Sequence, residues 1–124
     1  MIRNTIQREI VLNAVNSLHN HPTPEEIVEF VNERYPNISR STVYRNLNIL
    51  EQNGSILRVK IPNAADRFDF NVTKHYHIVC EKCGRVDDLD MPYFDDLNSA
   101  VDDANGYTIN SHNIVFFGIC PDCK

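Results

Sequence analysis

The chain lacks any apolar run near the roughly 18 residues that a membrane-crossing helix needs. Its opening residues, Met1 to Arg8, hold no apolar signal core, so we expect no export and a cytoplasmic location. It contains no internal repeat and no low-complexity segment. It also lacks the positive excess usual in a nucleic-acid binder, with a net charge of −5 over 124 residues. Beyond candidate metal ligands, no nucleophile or general base stands out. The H-x-E signature of zinc deaminases is missing as well, so an enzyme is not expected.

The charge deficit is uneven, and that changes its meaning. Residues 1–67 hold eight Lys/Arg against seven Asp/Glu, a balance of +1, whereas residues 68–124 carry −6. The first half can therefore present a basic face although the whole chain is acidic.

The pattern in that half is helical. Ile6, Ile10, Ala14 and Leu18 recur every four residues, with Val11 and Val15 beside them, which predicts a helix over 5–18. Thr23-Pro24-Glu25-Glu26 predicts a helix start, with Thr23 as cap, Pro24 at the first position and Glu26 closing a capping box. That helix should bury Ile27, Phe30 and Val31 and stop near Tyr35, before Pro36. Ser39 or Ser41 caps a third helix, with Val43, Leu47 and Leu50 inward and Gly54 ending it. Helix, short turn, helix is the helix-turn-helix plan, and the later helix reads DNA. Its outer residues Arg40, Ser41, Thr42, Tyr44, Arg45 and Asn48 suit phosphates and base edges.

Leu57, Val59 and Ile61 alternate with Arg58 and Lys60, predicting a strand with a basic outer face. Arg67-Phe68-Asp69-Phe70 alternates again, with both Phe on one side and Asp69 on the other. A hairpin in this place is a wing. The expected fold class is α+β: a winged helix-turn-helix domain over 1–70, a hinge at 71–74, and a small α/β domain over 75–124. In the latter we expect strands over 75–80 and 84–90. A helix opening at Pro92 should bear Phe94, Leu97, Val101 and Ala104 and end at Gly106, followed by a β-rich stretch from Tyr107 to Ile119. So few apolar residues suit a dimer better than a lone domain.

Two ligand sets meet in His75 to Gly84. Cys80 and Cys83 form one C-x-x-C pair, and Cys120 and Cys123 form another. Paired thiolates suit one structural, tetrahedral Zn2+ per chain, with two disulfides or a dithiol switch as alternatives. His75 and His77 lie two apart, so a strand presents both on one face. With His21, Asp69 and Asp88 they form a three-His, two-Asp set that suits Fe2+, Mn2+ or Zn2+. On composition alone, ordinary structural histidines explain them equally well. One ion on all five would tie the winged helix to the second half across the hinge.

Together these pieces resemble the ferric uptake regulator family. They are Arg3 to Arg8, His21 to Thr23, Ser41 to Leu47, Arg67 to Phe70, His75 to Gly84 and the final C-P-D-C. The resemblance implies a homodimeric, metal-dependent repressor of transcription that binds a palindromic double-stranded operator. It implies DNA contacts for Arg3 and Arg8 alongside those of the third helix. The closest likeness is to the peroxide-sensing branch, in which Fe2+ or Mn2+ is the corepressor and peroxide oxidises a coordinating imidazole. The matching targets here are His21 and His75. A plain iron, manganese or zinc uptake regulator is the alternative. Asp95 and His112 match half of an extra metal site of the iron-uptake branch. Lys74 and Tyr76 stand where its other two ligands occur, so no ion is expected there. Relatives usually carry another helix ahead of the position of Arg3, where only Met1 and Ile2 stand here.

Overall fold

In the computed structural model of the protein, the described residues are 2–124, with side chains from residue 5 onward. Two compact units are formed, Met1–Thr73 and Lys74–Lys124.

The first unit is three helices and a two-stranded wing. Helix α1 spans Ile2–Ser17. Its inward face is Val11, Ala14 and Val15, all essentially inaccessible, while Ile6 is about half exposed. The four-residue stripe expected through Ile6 is thus displaced by one position, because an α-helix advances 3.6 residues per turn and drifts off a strict fourfold repeat. Helix α2, Pro24–Arg34, begins on the expected capping box. The Glu26 amide donates to Thr23 Oγ1 at 3.2 Å, and the Thr23 amide donates to Glu26 Oε1 at 2.9 Å. It buries Ile27, Val28 and Val31. Phe30, expected inside, is only partly covered and carries the Arg34 guanidinium 3.9 Å above its ring.

Helix α3, Arg40–Gln52, is capped by Ser39, whose Oγ accepts from the Thr42 amide at 3.1 Å. Val43, Leu47 and Leu50 complete one core with α1 and α2, joined by Ile38, Ile56 and Phe68. Asn46 is also buried and spends its amide on the Thr42 carbonyl at 2.9 Å. Gly54, at φ +81°, turns the chain out of the helix.

The wing is β1, Leu57–Val59, antiparallel to β2, Arg67–Asp69, with Arg58 opposite Phe68. Two expectations fail here. The strand stops at Val59 rather than Ile61, and Phe70, just past β2, is exposed while Asp69 is buried. Nor is Arg58 part of an open basic face. Its Nε donates to Glu51 at 2.8 Å, Nη1 to Asp66 at 3.0 Å and Nη2 to Asn48 at 2.6 Å, with the group over the Phe68 ring. Burial opposes its charge, but the bonds to Glu51 and Asp66 outweigh that and raise its pKa. Arg58 braces the wing against α3.

The second unit is a three-stranded sheet in the order β4-β3-β5. Strand β3, His77–Cys80, is central, antiparallel to β4, Val86–Asp88, and parallel to β5, Val115–Gly118. The expected helix after Pro92 does not form. A 3-10 segment, Asp95–Ala100, takes its place, and Phe94, Leu97 and Val101 are exposed. An amphipathic segment with no apolar layer beneath it gains too little to meet the cost of nucleation. The β-rich stretch likewise reduces to β5. Its buried apolar residues are few: Tyr76, Val79, Cys80 and Val86.

Candidate metal centres and nucleic-acid interface

The exposed side of α3 forms a shallow groove of about 500 Å³ lined by Arg40, Ser41, Tyr44, Arg45 and Asn48. These are five of the six residues expected to meet DNA from this helix. Thr42 is turned into the cap, its hydroxyl 2.8 Å from Ser39 Oγ. Asn48 is fixed by Arg58, and Arg40 and Tyr44 by Glu25. Arg8 is half-buried on α1, and the Arg3 side chain lies outside the described residues.

Within the same unit, His21 and Asp69 meet although 48 residues apart, with His21 Nε2 3.2 Å from Asp69 Oδ2. His21 sits at φ +58°, a left-handed conformation that costs energy for a residue with a Cβ. Neighbours hold it there. Arg67 Nη1 donates to the His21 carbonyl at 3.2 Å, and the Phe68 amide donates to the Pro22 carbonyl at 2.9 Å. The loop before α2 is thereby bound along β2, which carries Asp69. The other carboxylate oxygen, Oδ1, accepts from the Asn71 amide at 2.9 Å.

In the second unit, the β3/β4 register sets His77 opposite Asp88. One carboxylate oxygen, Asp88 Oδ1, lies 2.9 Å from His75 Nε2 and 3.2 Å from His77 Nε2. The two rings are 4.5 Å apart. Metal–donor bonds of about 2.1 Å put neighbouring donors about 3 Å apart. Both pairings therefore have the spacing and chemistry of partial ligand sets. Imidazole with carboxylate suits Fe2+ or Mn2+.

The thiolate set is closed. All four Sγ atoms lie within 4.8 Å of one another, with Cys83 and Cys120 3.7 Å apart and no disulfide. Tetrahedral Zn–S bonds of about 2.3 Å imply S···S edges of about 3.8 Å, so the set fits structural zinc and rules against the disulfide alternative in this state. Gly84, at φ +80°, makes the knuckle after Cys83. Cys80 Sγ accepts from the amides of Cys83 at 3.5 Å and Cys120 at 3.3 Å, and its pKa falls to about 6. Cys123 moves the other way, to about 12, because of the neighbouring Cys120 thiol and then burial. Cys83 is raised too. The Arg85 amide pulls it down, but the Cys80 and Cys120 thiols and burial prevail. Four crowded sulfurs cannot all ionise without a cation among them.

His112 is not an ordinary surface residue. Nε2 lies 2.8 Å from Tyr76 Oη and Nδ1 2.8 Å from Asn98 Oδ1, with the ring stacked on Tyr93. Both nitrogens are committed to hydrogen bonds. Sequence reasoning missed this network, and also the parts played by Arg58 and Arg67, since each depends on partners distant in the chain.

A winged helix-turn-helix joined to a small sheet bearing a closed thiolate set and a His/Asp set defines a metal-responsive DNA-binding regulator. The ferric uptake regulator family model matches residues 1–117, and the chain belongs to that family. It is 34% identical over 123 residues to the peroxide-responsive repressor PerR of Staphylococcus epidermidis, covering 99% of this chain and 82% of that one. Among solved structures it is similar to the ferric uptake regulator Fur of Helicobacter pylori. There the TM-score is 0.75 and the identity 29%, with coverage of 94% of this chain and 79% of that one. It is also similar to the Campylobacter jejuni peroxide stress regulator. That match has a TM-score of 0.74 and 30% identity, covering 98% and 92%. Regulators of this family are DNA-binding dimers, and the chain is a metal-responsive repressor by its membership. Among the described residues no helix is long and apolar enough to cross a membrane.

Proposed function

We propose that this chain is a peroxide-responsive repressor, with Fe2+ or Mn2+ as corepressor held by His21, Asp69, His75, His77 and Asp88. The observation that carries the reading is the approach of two imidazole nitrogens to one oxygen of Asp88, at 2.9 and 3.2 Å. The His21–Asp69 pair, pinned by Arg67, adds donors of the same chemistry. Likeness to the staphylococcal peroxide-responsive repressor supports the peroxide branch. So do Asp69 and Asp88 standing where the iron-uptake branch tends to have Glu.

Fe2+ held by these residues would supply the reducing chemistry that activates peroxide, and the net change would be one oxygen gained from peroxide by a ring carbon of His21 or His75, with water as the other product. The protein's own contribution is positional. Asp69 and Asp88 orient the imidazoles, and Arg67 fixes the backbone of His21. A ring altered in this way is a poorer ligand, and loss of the ion frees the hinge at 71–74. The homodimer then leaves its palindromic operator. Cys80, Cys83, Cys120 and Cys123 keep zinc as a structural ion throughout, and residence is cytoplasmic. DNA contacts come from Arg3, Arg8, Arg40, Ser41, Tyr44, Arg45 and Asn48, while Thr42 serves the cap of α3.

A plain metal-uptake regulator is the second reading, favoured by the TM-score of 0.75 to the Helicobacter pylori regulator. Mass spectrometry separates the two. Iron-loaded protein given peroxide should gain one oxygen on the peptide holding His21 or His75 and lose operator binding, while manganese-loaded protein should do neither. Loss of binding with both histidines unmodified would sink the peroxide reading and leave the second.

A further inference from the structure

On the reading face, an acid stands among the bases. Glu25, in the first turn of α2, accepts from Arg40 Nη1 at 2.7 Å and Arg40 Nη2 at 2.5 Å, a two-pronged contact. The Tyr44 hydroxyl also donates to Glu25, and Arg40 Nη2 lies 3.4 Å from that hydroxyl. Arg40 and Tyr44 sit four apart on one face of α3, so a single carboxylate reaches both. The bond to Glu25 and then burial raise the Tyr44 pKa against the opposing Arg40 charge. Both residues line the groove offered to DNA.

Resting on the DNA-binding reading above, we propose that Glu25 is a specificity-determining residue. It is a built-in counter-charge that presets Arg40 and Tyr44 and lowers affinity for DNA of arbitrary sequence. Binding to arbitrary sequence comes from cations on phosphates. Here a phosphate approaching Arg40 must compete with a carboxylate already gripping both prongs of the guanidinium. A cognate site offsets that competition through base contacts with Tyr44, Arg45 and Asn48, whereas a random site does not. The preset rotamers also reduce the ordering cost at the cognate site. An exposed ion pair contributes little to folding, so it can be removed without losing the domain.

The test uses the full chain, zinc-replete and Mn2+-loaded, on two probes: a random-sequence duplex, and a palindromic duplex selected by the wild type from a random pool. Glu25→Gln keeps an acceptor but removes the charge. It should tighten random-duplex binding about threefold to tenfold at low salt. It should also steepen the log–log salt dependence by about one unit, the share of one further phosphate. Affinity for the selected duplex should rise less, so discrimination falls. Glu25→Ala lacks the acceptor and should in addition weaken the selected duplex relative to Gln. NMR titration should show the Tyr44 phenol falling toward its ordinary pKa in Glu25→Gln. Random-duplex affinity and salt slope unchanged in Glu25→Gln would overturn the counter-charge. Identical behaviour of Ala and Gln on the selected duplex, or an unmoved Tyr44, would overturn the presetting. Wild type that binds neither duplex would instead overturn the DNA-binding reading itself.

Discussion

The two units are held together by different forces. The first buries twelve apolar side chains in one cluster drawn from three helices and the wing. The second buries four and leaves eight large apolar ones exposed, among them Phe116 and Phe117 on β5 and Tyr107. At about 25 cal/mol per Å² of apolar surface removed from water, the first can fold by burial alone. The second cannot offset its chain entropy in that way and needs its thiolate set. One protein thus pairs a reader indifferent to zinc with a sheet that depends on it.

The largest test of that contrast is zinc removal. Chelation, or Cys120→Ser, should collapse the amide spectrum of residues 74–124 while that of 1–73 persists, since structural zinc contributes on the order of 10 kcal/mol. Simultaneous loss of both sets would break the comparison. Acid should act through the same site. In the metal-free protein the Cys83 and Cys120 amides lower the Cys80 pKa to about 6 from the ordinary thiol value of 9.0, so its contribution is complete above the upper figure and lost as pH falls through the lower. Protons compete with zinc for the thiolates, so zinc release and loss of sheet signal should coincide as the pH is lowered, followed by a chromogenic chelator together with circular dichroism.

The converse perturbation is Leu47→Ala, which empties a site in the helical core. It should cost about 2–5 kcal/mol in urea unfolding of the first unit and leave the zinc content at one per chain. Zinc loss in this variant would show that the units do not fold separately. The smallest effect is expected from Arg67→Ala, which releases the His21 backbone from its left-handed turn. Mn2+ affinity should fall about tenfold, as when a second-layer partner of a ligand is removed, with zinc untouched. Unchanged manganese titration would show that the turn holds without Arg67.

Legibility follows the same division. The α2 start could be read directly, because Thr23, Pro24 and Glu26 act on backbone groups within one turn. The Ser39 cap was legible as one of two candidates for the same reason. The Pro92 helix was read from an equally good apolar pattern and fails, since a pattern specifies a helix only where something lies beneath it. Arg58 was read as part of an open basic surface because Glu51, Asp66 and Asn48 converge on it from separate elements. The sequence shows no partner for His112 because Tyr76 and Asn98, 36 and 14 residues away, reach it only in the folded unit. The His75–Asp88 proximity needs only one strand pairing, whereas His21 meets Asp69 through a backbone angle that no spacing rule encodes.

The Arg58 brace has a bearing on how such a regulator is switched off. With α3 and the wing locked by one guanidinium, the reading head resists piecemeal adjustment. On the proposed repressor reading, induction would change how two intact heads are spaced along the duplex, and not which bases each prefers. The metal-free protein would keep its half-site preference and lose only its ruler.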